Sequence, residues 1–141
     1  MQTALEPLFG LPSIDSGWIF EPLCPGNEFR FLQYGDTLFD FRVLFTDADF
    51  FGTGDEQFFS YDYNGVLEVP VSPPDLTVGA TVAELQELYP EVQLLEDPFI
   101  SGGVVYLVES DTDFESLFGR VAGEDPTDLV TSVQGGIGCG E

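Results

Sequence analysis

Residues that could perform catalysis are scarce in this chain. It contains no His and no Lys, and its two thiols belong to Cys24 and Cys139. A conventional nucleophile–base pair cannot be assembled from these residue types if the two thiols are bridged. Carboxylates are abundant, but no spacing singles out a pair for glycosidase-like acid–base chemistry. We therefore predict a protein that is not an enzyme and that uses no cofactor.

A loop at positions 46–56 (TDADFFGTGDE) contains the candidate metal ligands. Its oxygen ligands Asp47, Asp49 and Asp55, together with two glycines, loosely resemble a calcium-binding loop. The loop lacks the regular alternation of ligands and the terminal bidentate Glu of an EF-hand. A solvated acidic turn is therefore the favoured interpretation, and a divalent-cation-binding surface protein is kept as a minor alternative.

Aromatic side chains supply the candidate partner-binding residues. The segment at 57–63 (QFFSYDY) predicts a strand whose two faces both carry aromatic rings, so one face is expected to lie partly outside the core. Rings with polar tips, and Arg, are enriched in protein interfaces. The candidates for partner binding are Trp18, Tyr34, Arg42, Phe58, Tyr61 and Tyr63. For each one, packing beneath the loops is the simpler alternative.

The two cysteines lie far apart in the sequence. Turn residues flank both of them, CPG at 24–26 and GCGE at 138–141. This placement on loops favours a disulfide between Cys24 and Cys139 over two unrelated buried thiols. A disulfide in turn predicts an extracytoplasmic protein, secreted or on the cell surface. No signal peptide is visible, so the leader is expected to be missing from this chain, and a lipid anchor in the full-length precursor stays open.

Charge is the extreme feature of the composition. The chain has 26 acidic residues against three arginines, for a net charge of -23. Such a surface repels nucleic acid and anionic membranes, so neither is predicted as a direct partner. Solubility through an acidic surface is the simplest explanation, and adaptation to salt or imitation of a polyanion are the alternatives. No apolar run approaches the length of a membrane span.

One segment is clearly helical in its pattern. At 78–90 (VGATVAELQELYP), Thr81 is a helix cap with Glu84 three residues later, and the apolar residues that follow recur at helical spacing. Pro90 ends this helix. A weaker match at 1–10 predicts the last turns of another helix, and the similarity of the two segments suggests an internal duplication.

The remaining segments read as short strands. They are predicted at 18–20, 29–34, 38–45, 57–63, 92–95, 104–108, 115–121 and 129–133. In the segment at 38–45, Phe39, Phe41, Val43 and Phe45 should face the core. A unit at 1–65, with its start expected to be cut short, a Pro-rich linker at 66–75 and a second unit at 76–141 would form one compact domain. The predicted fold class is α+β: an antiparallel sheet with one or two short helices on one face.

Several motifs together resemble a known type of protein. The motifs are IDSGW, CPG, YGDTLFDFRVLFTD, FFSYDYNG, LTVGATVAELQELYP and GGIGCGE. Their order is similar to that of secreted or lipid-anchored proteins of actinobacterial type. The GATVAELQELYP segment resembles the start of the helix in the β-lactamase-inhibitor-protein-like (BLIP-like) fold and in small outer-membrane assembly lipoproteins. The resemblance implies tandem helix-plus-sheet units, a Cys24–Cys139 bridge and a sheet face free for a partner, but it transfers no inhibitor contact residue.

The leading hypothesis is a non-enzymatic extracytoplasmic module that binds a protein partner through the sheet face without helices. Neither the partner nor the oligomeric state follows from the sequence. The runner-up is a cytosolic acidic mimic of nucleic acid that blocks a DNA- or RNA-binding protein, a hypothesis that rests on the net charge.

The charge imbalance makes a prediction about stability. Repulsion among the carboxylates opposes the compact state, and added salt screens it. The melting temperature measured by circular dichroism should therefore rise between about 0.01 and about 0.1 M NaCl. A melting temperature that falls over this range would contradict the expectation.

Overall fold

The described residues fold as one antiparallel sheet with two short helices. The structure is a computed structural model that describes residues 2–35, 40–48, 57–64, 76–110 and 116–136. The helices are α1 (Gln2–Phe9) and α2 (Val82–Leu88), and the strands are β1 (Ile14–Asp15), β2 (Ile19–Phe20), β3 (Glu28–Tyr34), β4 (Phe41–Thr46), β5 (Gln57–Tyr63), β6 (Gln93–Glu96), β7 (Val104–Val108), β8 (Leu117–Val121) and β9 (Val133–Gly136). Neither helix is long and apolar enough to cross a membrane, within the residues described.

The predicted α+β class is wrong. The nine strands hold 42 of the described residues and the two helices only 15, so the fold is β-rich. The helical pattern in the sequence is real, but each helix has at most eight residues. Helices of two turns cover part of a sheet face and do not form a layer of their own.

The sheet is assembled from two meanders. Strands β3, β4 and β5 form one, and β6 to β9 form the other. They join where β5 pairs with β9, in the strand order β1-β3-β4-β5-β9-β8-β7-β6, and β2 pairs with β3 beside β1. The two predicted units thus each contribute strands to the same sheet. The predicted linker at 66–75 lies outside the described residues.

The predicted capping box at α2 is confirmed. The Thr81 hydroxyl accepts the N–H of Glu84, and the Glu84 carboxylate accepts the N–H of Thr81 at 2.7 Å. Val82 and Leu85 then point into the core. Helix α1 packs against the same core through Leu5 and Phe9, and it tolerates Pro7 within its eight residues.

Both helices lie on one face of the sheet, which we call the core face. The predicted alternation in β4 is confirmed, since Phe41, Val43 and Phe45 are buried there, while Phe39 lies outside the described residues. The core is continuous across both meanders. Its buried members include Leu32, Tyr34, Tyr61, Tyr63, Tyr106, Val108, Leu117, Val121 and Val133 from the strands.

A β-bulge alters the faces of β5. The register shifts between Leu44 and Phe45, so that Phe45 pairs with Phe58. The bulge breaks the simple alternation. Phe58 consequently packs against the core and stacks on Tyr61, with ring centroids 6.4 Å apart.

The end of the chain differs from the prediction. Positions 129–133 were expected to be a strand, but Leu129 and Val130 form only isolated bridges, and β9 begins at Val133. The short strand β1 was not among the predicted strands, and it pairs with β3 through Ile14 and Asp15. Both errors arise because the pairing partner is distant in sequence, and local patterns do not report it.

Tyrosines pack over glycines at two cross-strand pairs. Tyr61 pairs with Gly135 across the β5–β9 junction, and Tyr106 pairs with Gly119 between β7 and β8. A Cβ atom added to Gly135 would lie 2.5 Å from the ring of Tyr61. Glycine is therefore required at this position by the close approach of a buried ring.

This contact predicts the effect of Gly135→Ala. The added methyl group must displace the Tyr61 ring, which should lower the free energy of unfolding by about 1–3 kcal/mol, measured by chemical denaturation. In a Tyr61→Leu background the same substitution should cost much less, because the clash is gone. Equal costs in the two backgrounds would show that the ring is not the cause.

Candidate functional site

The sheet face opposite the helices is the candidate functional site, and we call it the helix-free face. The strand register places one row of side chains across seven strands of this face. From β3 to β6 the row consists of Gln33, Arg42, Asp62, Gln134, Phe118, Leu107 and Gln93. Ile14 of β1 extends the row beyond Gln33.

A hydrogen-bonded network lies in the middle of this row. The Arg42 Nη2 atom donates to Asp62 Oδ2 at 2.5 Å, and Arg42 Nε donates to the same oxygen at 3.1 Å. Gln134 Nε2 donates to Asp62 Oδ1. The guanidinium also lies over the Phe31 ring, 5.9 Å from its centroid. The network therefore bridges β4, β5 and β9, and it holds Arg42 in a fixed orientation.

Neighbouring rows make the helix-free face largely apolar or uncharged. The other strand positions on it are Ile19, Phe29, Phe31, Leu44, Thr46, Gln57, Ser60, Gly136, Arg120, Val105 and Leu95. Six of the positions on this face are buried, namely Gln33, Leu44, Thr46, Gln57, Ser60 and Val105, whereas Phe29, Phe31, Phe118 and Leu107 are half-buried. Asp62 is the only acidic residue at these strand positions of the described chain.

The structure places the predicted partner-binding residues in two different environments, the core and the surface. Tyr34, Tyr61 and Tyr63 are buried in the core, and Phe58 packs against it, so none of the four belongs to an exposed surface. Burial raises the pKa of Tyr34. Arg42 lies at the centre of the helix-free face.

Trp18, the last of the predicted partner-binding residues, is 40% exposed and lies beside strand β2. Sequence reasoning missed Asp62, Gln134 and Phe118. In the sequence each of them appears only as a polar or aromatic residue between core positions. Their place side by side on the helix-free face follows only once the register of β5, β9 and β8 is known.

Asp47 acts as a structural acceptor. Its Oδ1 atom accepts the backbone N–H groups of Asn27 and Glu28 at 2.7 and 3.0 Å. These two hydrogen bonds, first that of Glu28, lower the pKa of Asp47. The other two metal candidates, Asp49 and Asp55, lie outside the described residues. Within the part of the chain that is described, no group of three or more His, Cys, Asp or Glu side chains could hold a metal ion.

Cys24 is buried and disulfide-bonded. It lies in a turn that Thr46 fastens to the end of β4, because the Thr46 hydroxyl donates to the carbonyl of Pro25. Its predicted partner, Cys139, lies outside the described residues, and the pairing of the two stays a prediction.

All three arginines of the chain bond to aspartates on other strands or loops. Arg30 contacts Asp15 at 2.5 Å on the β1 side of the sheet, and Arg42 contacts Asp62 in the middle. Arg120 Nε contacts Asp97 Oδ2 at 2.8 Å on the β6 side. The Arg30 guanidinium lowers the pKa of Asp15 to about 2.

Asp97 is the most enclosed of these carboxylates. Its side chain is 1% exposed, and its Oδ1 atom accepts the N–H groups of Phe99 and Ile100. The bond from Arg120, followed by that from Phe99, lowers the pKa of Asp97. This carboxylate is ionised at neutral pH and holds the loop between β6 and β7.

Comparison with known proteins finds no relative of this chain. No family model matches the chain, and no curated protein or solved structure matches it either.

The lowered pKa of Asp97 predicts how acid affects stability. A carboxyl group whose pKa is lower in the folded than in the unfolded chain stabilises the fold above about pH 4, and this contribution is lost as the pH falls through the folded value. The gap in unfolding free energy between the wild type and Asp97→Asn should therefore be constant near neutral pH and shrink below about pH 4.

The comparison between the two proteins removes the effect of the many exposed carboxylates, because these titrate alike in both. Urea denaturation across the pH range measures the gap. A gap that stays unchanged down to about pH 2 would mean that the Asp97 carboxylate gains nothing from Arg120 and the loop N–H groups.

Proposed function

We propose that the protein is a non-enzymatic binding module that engages a protein partner through the helix-free face. The observation that carries the proposal is the near absence of acidic residues from this face. Within the part of the chain that the structure describes, Asp62 is the only carboxylate at a strand position of the face, and Arg42 neutralises it. The exposed and half-buried positions of the face would be expected to carry many carboxylates if they were merely solvated, because the protein is so acidic.

The composition of the face is that of an interface centre. Charged residues are depleted in the core of protein interfaces, whereas aromatic residues and Arg are enriched. Phe31 lies beneath Arg42, Phe118 and Leu107 continue the row beyond Gln134, and all three side chains are half-buried. A partner surface that completes their burial would remove apolar area from water, which stabilises the complex.

The partner best suited to this protein has an apolar contact surface with basic residues around it. The overall charge of -23 would attract a basic protein over long distances, and the neutral face would then meet its apolar centre. The disulfide bond of Cys24 supports an extracytoplasmic location, because disulfides persist in oxidising compartments.

Phe118→Glu tests this proposal. The immobilised protein is used to isolate a partner from the extracytoplasmic proteins of the source organism, and the affinity of the purified partner is then measured by calorimetry. A carboxylate at the centre of the face should weaken binding at least about tenfold, the usual effect at an interface centre. The control is Leu88→Glu, which adds the same charge at an exposed position of α2 on the opposite side.

Circular dichroism establishes that both variants are folded before binding is compared. Equal loss of affinity in the two variants would indicate binding through charge alone. Capture of a nucleic-acid-binding protein that DNA displaces, with no effect of Phe118→Glu, would favour the polyanion mimic instead.

A further inference from the structure

The loop between β6 and β7 presents an unusual pair of apolar side chains. Phe99 is 86% exposed and Ile100 is 50% exposed. Among the exposed large hydrophobic residues of the described chain, Phe99 has the greatest exposed fraction. A single exposed apolar side chain is ordinary on a protein surface, so exposure alone does not indicate a binding site.

The backbone beneath Phe99 is held by an unusually complete set of hydrogen bonds. Asp97 Oδ1 accepts the N–H of Phe99 at 2.8 Å and that of Ile100 at 3.2 Å. The N–H of Asp97 donates to the carbonyl of Gly103, and the N–H of Gly103 donates to that of Ile100, both at 2.9 Å. Gly102 adopts a left-handed conformation (φ 76°), which closes the loop.

One of the three cations of the chain stabilises this loop. Arg120 Nε donates to Asp97 Oδ2 at 2.8 Å, while the Asp97 side chain remains 1% exposed. A buried carboxylate that is bonded on both oxygens fixes the loop against the sheet. Phe99 is therefore displayed by a rigid support, and little conformational entropy is left to lose when it binds.

Acidic residues line a cleft beside the base of this loop. A cleft of about 570 Å³ is lined by Gly102 and Gly103 of the loop and by carboxylates of neighbouring segments. The carboxylates are those of Glu96, Glu124, Asp125 and Asp128. An apolar tip beside a negative cleft is complementary to an apolar pocket bordered by positive charge.

We infer that Phe99 and Ile100 form an anchor that inserts into an apolar pocket, bordered by Lys or Arg, on a protein partner. The inference rests on the proposed function, because it names the part of the protein that fixes the partner in place. Rigid aromatic residues that fill a pocket are the usual hot spots of protein interfaces. The anchor lies beside the helix-free face, since Arg120 is a residue of that face.

Two other occupants fit the charges less well. A second copy of the chain would bring like-charged clefts together, and repulsion between two chains of charge -23 opposes this. An anionic membrane surface would be repelled by the same carboxylates that surround the loop. Both remain outcomes of the experiment.

Photocrosslinking tests the anchor directly. Phe99→p-benzoylphenylalanine places a photoreactive ring at the loop tip, and the probe is the extracytoplasmic protein fraction of the source organism. The matched control is Leu11→p-benzoylphenylalanine, because Leu11 is 75% exposed but lies just after α1. We expect one prominent adduct from position 99 that position 11 does not give, with a yield that falls as NaCl is added.

The crosslinked protein is then purified and its affinity is measured with three variants. Phe99→Ser should weaken binding at least about tenfold, Phe99→Leu should retain most of it, and Leu11→Ser should leave it unchanged. Phe99 is too exposed to contribute to the core, so the melting temperature of Phe99→Ser should equal that of the wild type.

Each contrary outcome is distinct. An adduct with twice the mass of the chain would assign the loop to self-association, and flotation with anionic or zwitterionic vesicles that Phe99→Ser abolishes would assign it to a membrane. Either result overturns the inference. If position 99 gives no adduct while a partner is still captured in a Phe118-dependent way, the anchor is refuted and the proposed function stands. If neither is observed, both are refuted.

Discussion

The pairing of β5 with β9 is the interaction on which the rest of the structure depends. It joins two meanders that would otherwise each leave a sheet edge unpaired. The junction is reinforced on both faces. On the core face the Tyr61 ring covers Gly135, and on the helix-free face Gln134 donates to Asp62, a residue 72 positions away. Closing so long a loop costs entropy, which the continuous apolar core must offset.

The extreme charge makes the position of each cation significant. Three arginines are placed at the β1 side, the centre and the β6 side of the sheet, and each bonds to an aspartate across strands or a loop. The Arg30–Asp15 and Arg42–Asp62 pairs are partly exposed, and ion pairs of this kind contribute little net stability. They do specify register, because a shift of one residue would move each partner to the opposite face and leave its charge unpaired.

How much of this fold could be predicted depended on whether the signal was local. The capping box at Thr81 and the strands at 57–63 and 104–108 were predicted with the right bounds or nearly so, because cap chemistry and alternation are local. The bulge at Leu44 and Phe45 was not, and it turned Phe58 toward the core. The last strand was predicted to end at Val133, whereas β9 continues to Gly136, and Gly135 is glycine because a ring from a distant strand packs on it.

The candidate site was predicted less well for the same reason. Arg42 was singled out, but its network with Asp62 and Gln134 exists only once β4, β5 and β9 are in register. The tyrosines that were expected at an interface are core residues, because a phenol has enough apolar surface to be buried. Phe99 had no periodic neighbours, and its one sequence cue was the flanking Asp97-Pro98 and Gly102-Gly103.

The distribution of charge links the two proposed contact regions. Arg120 occupies the helix-free face and also bonds to the carboxylate that supports the Phe99 loop. Carboxylates beside the loop would repel a second copy of the chain, whereas the basic partner proposed above would be attracted by them. The same charge therefore opposes self-association and would favour a basic partner. Repulsion of the wrong partners provides specificity without weakening the contacts to the right one.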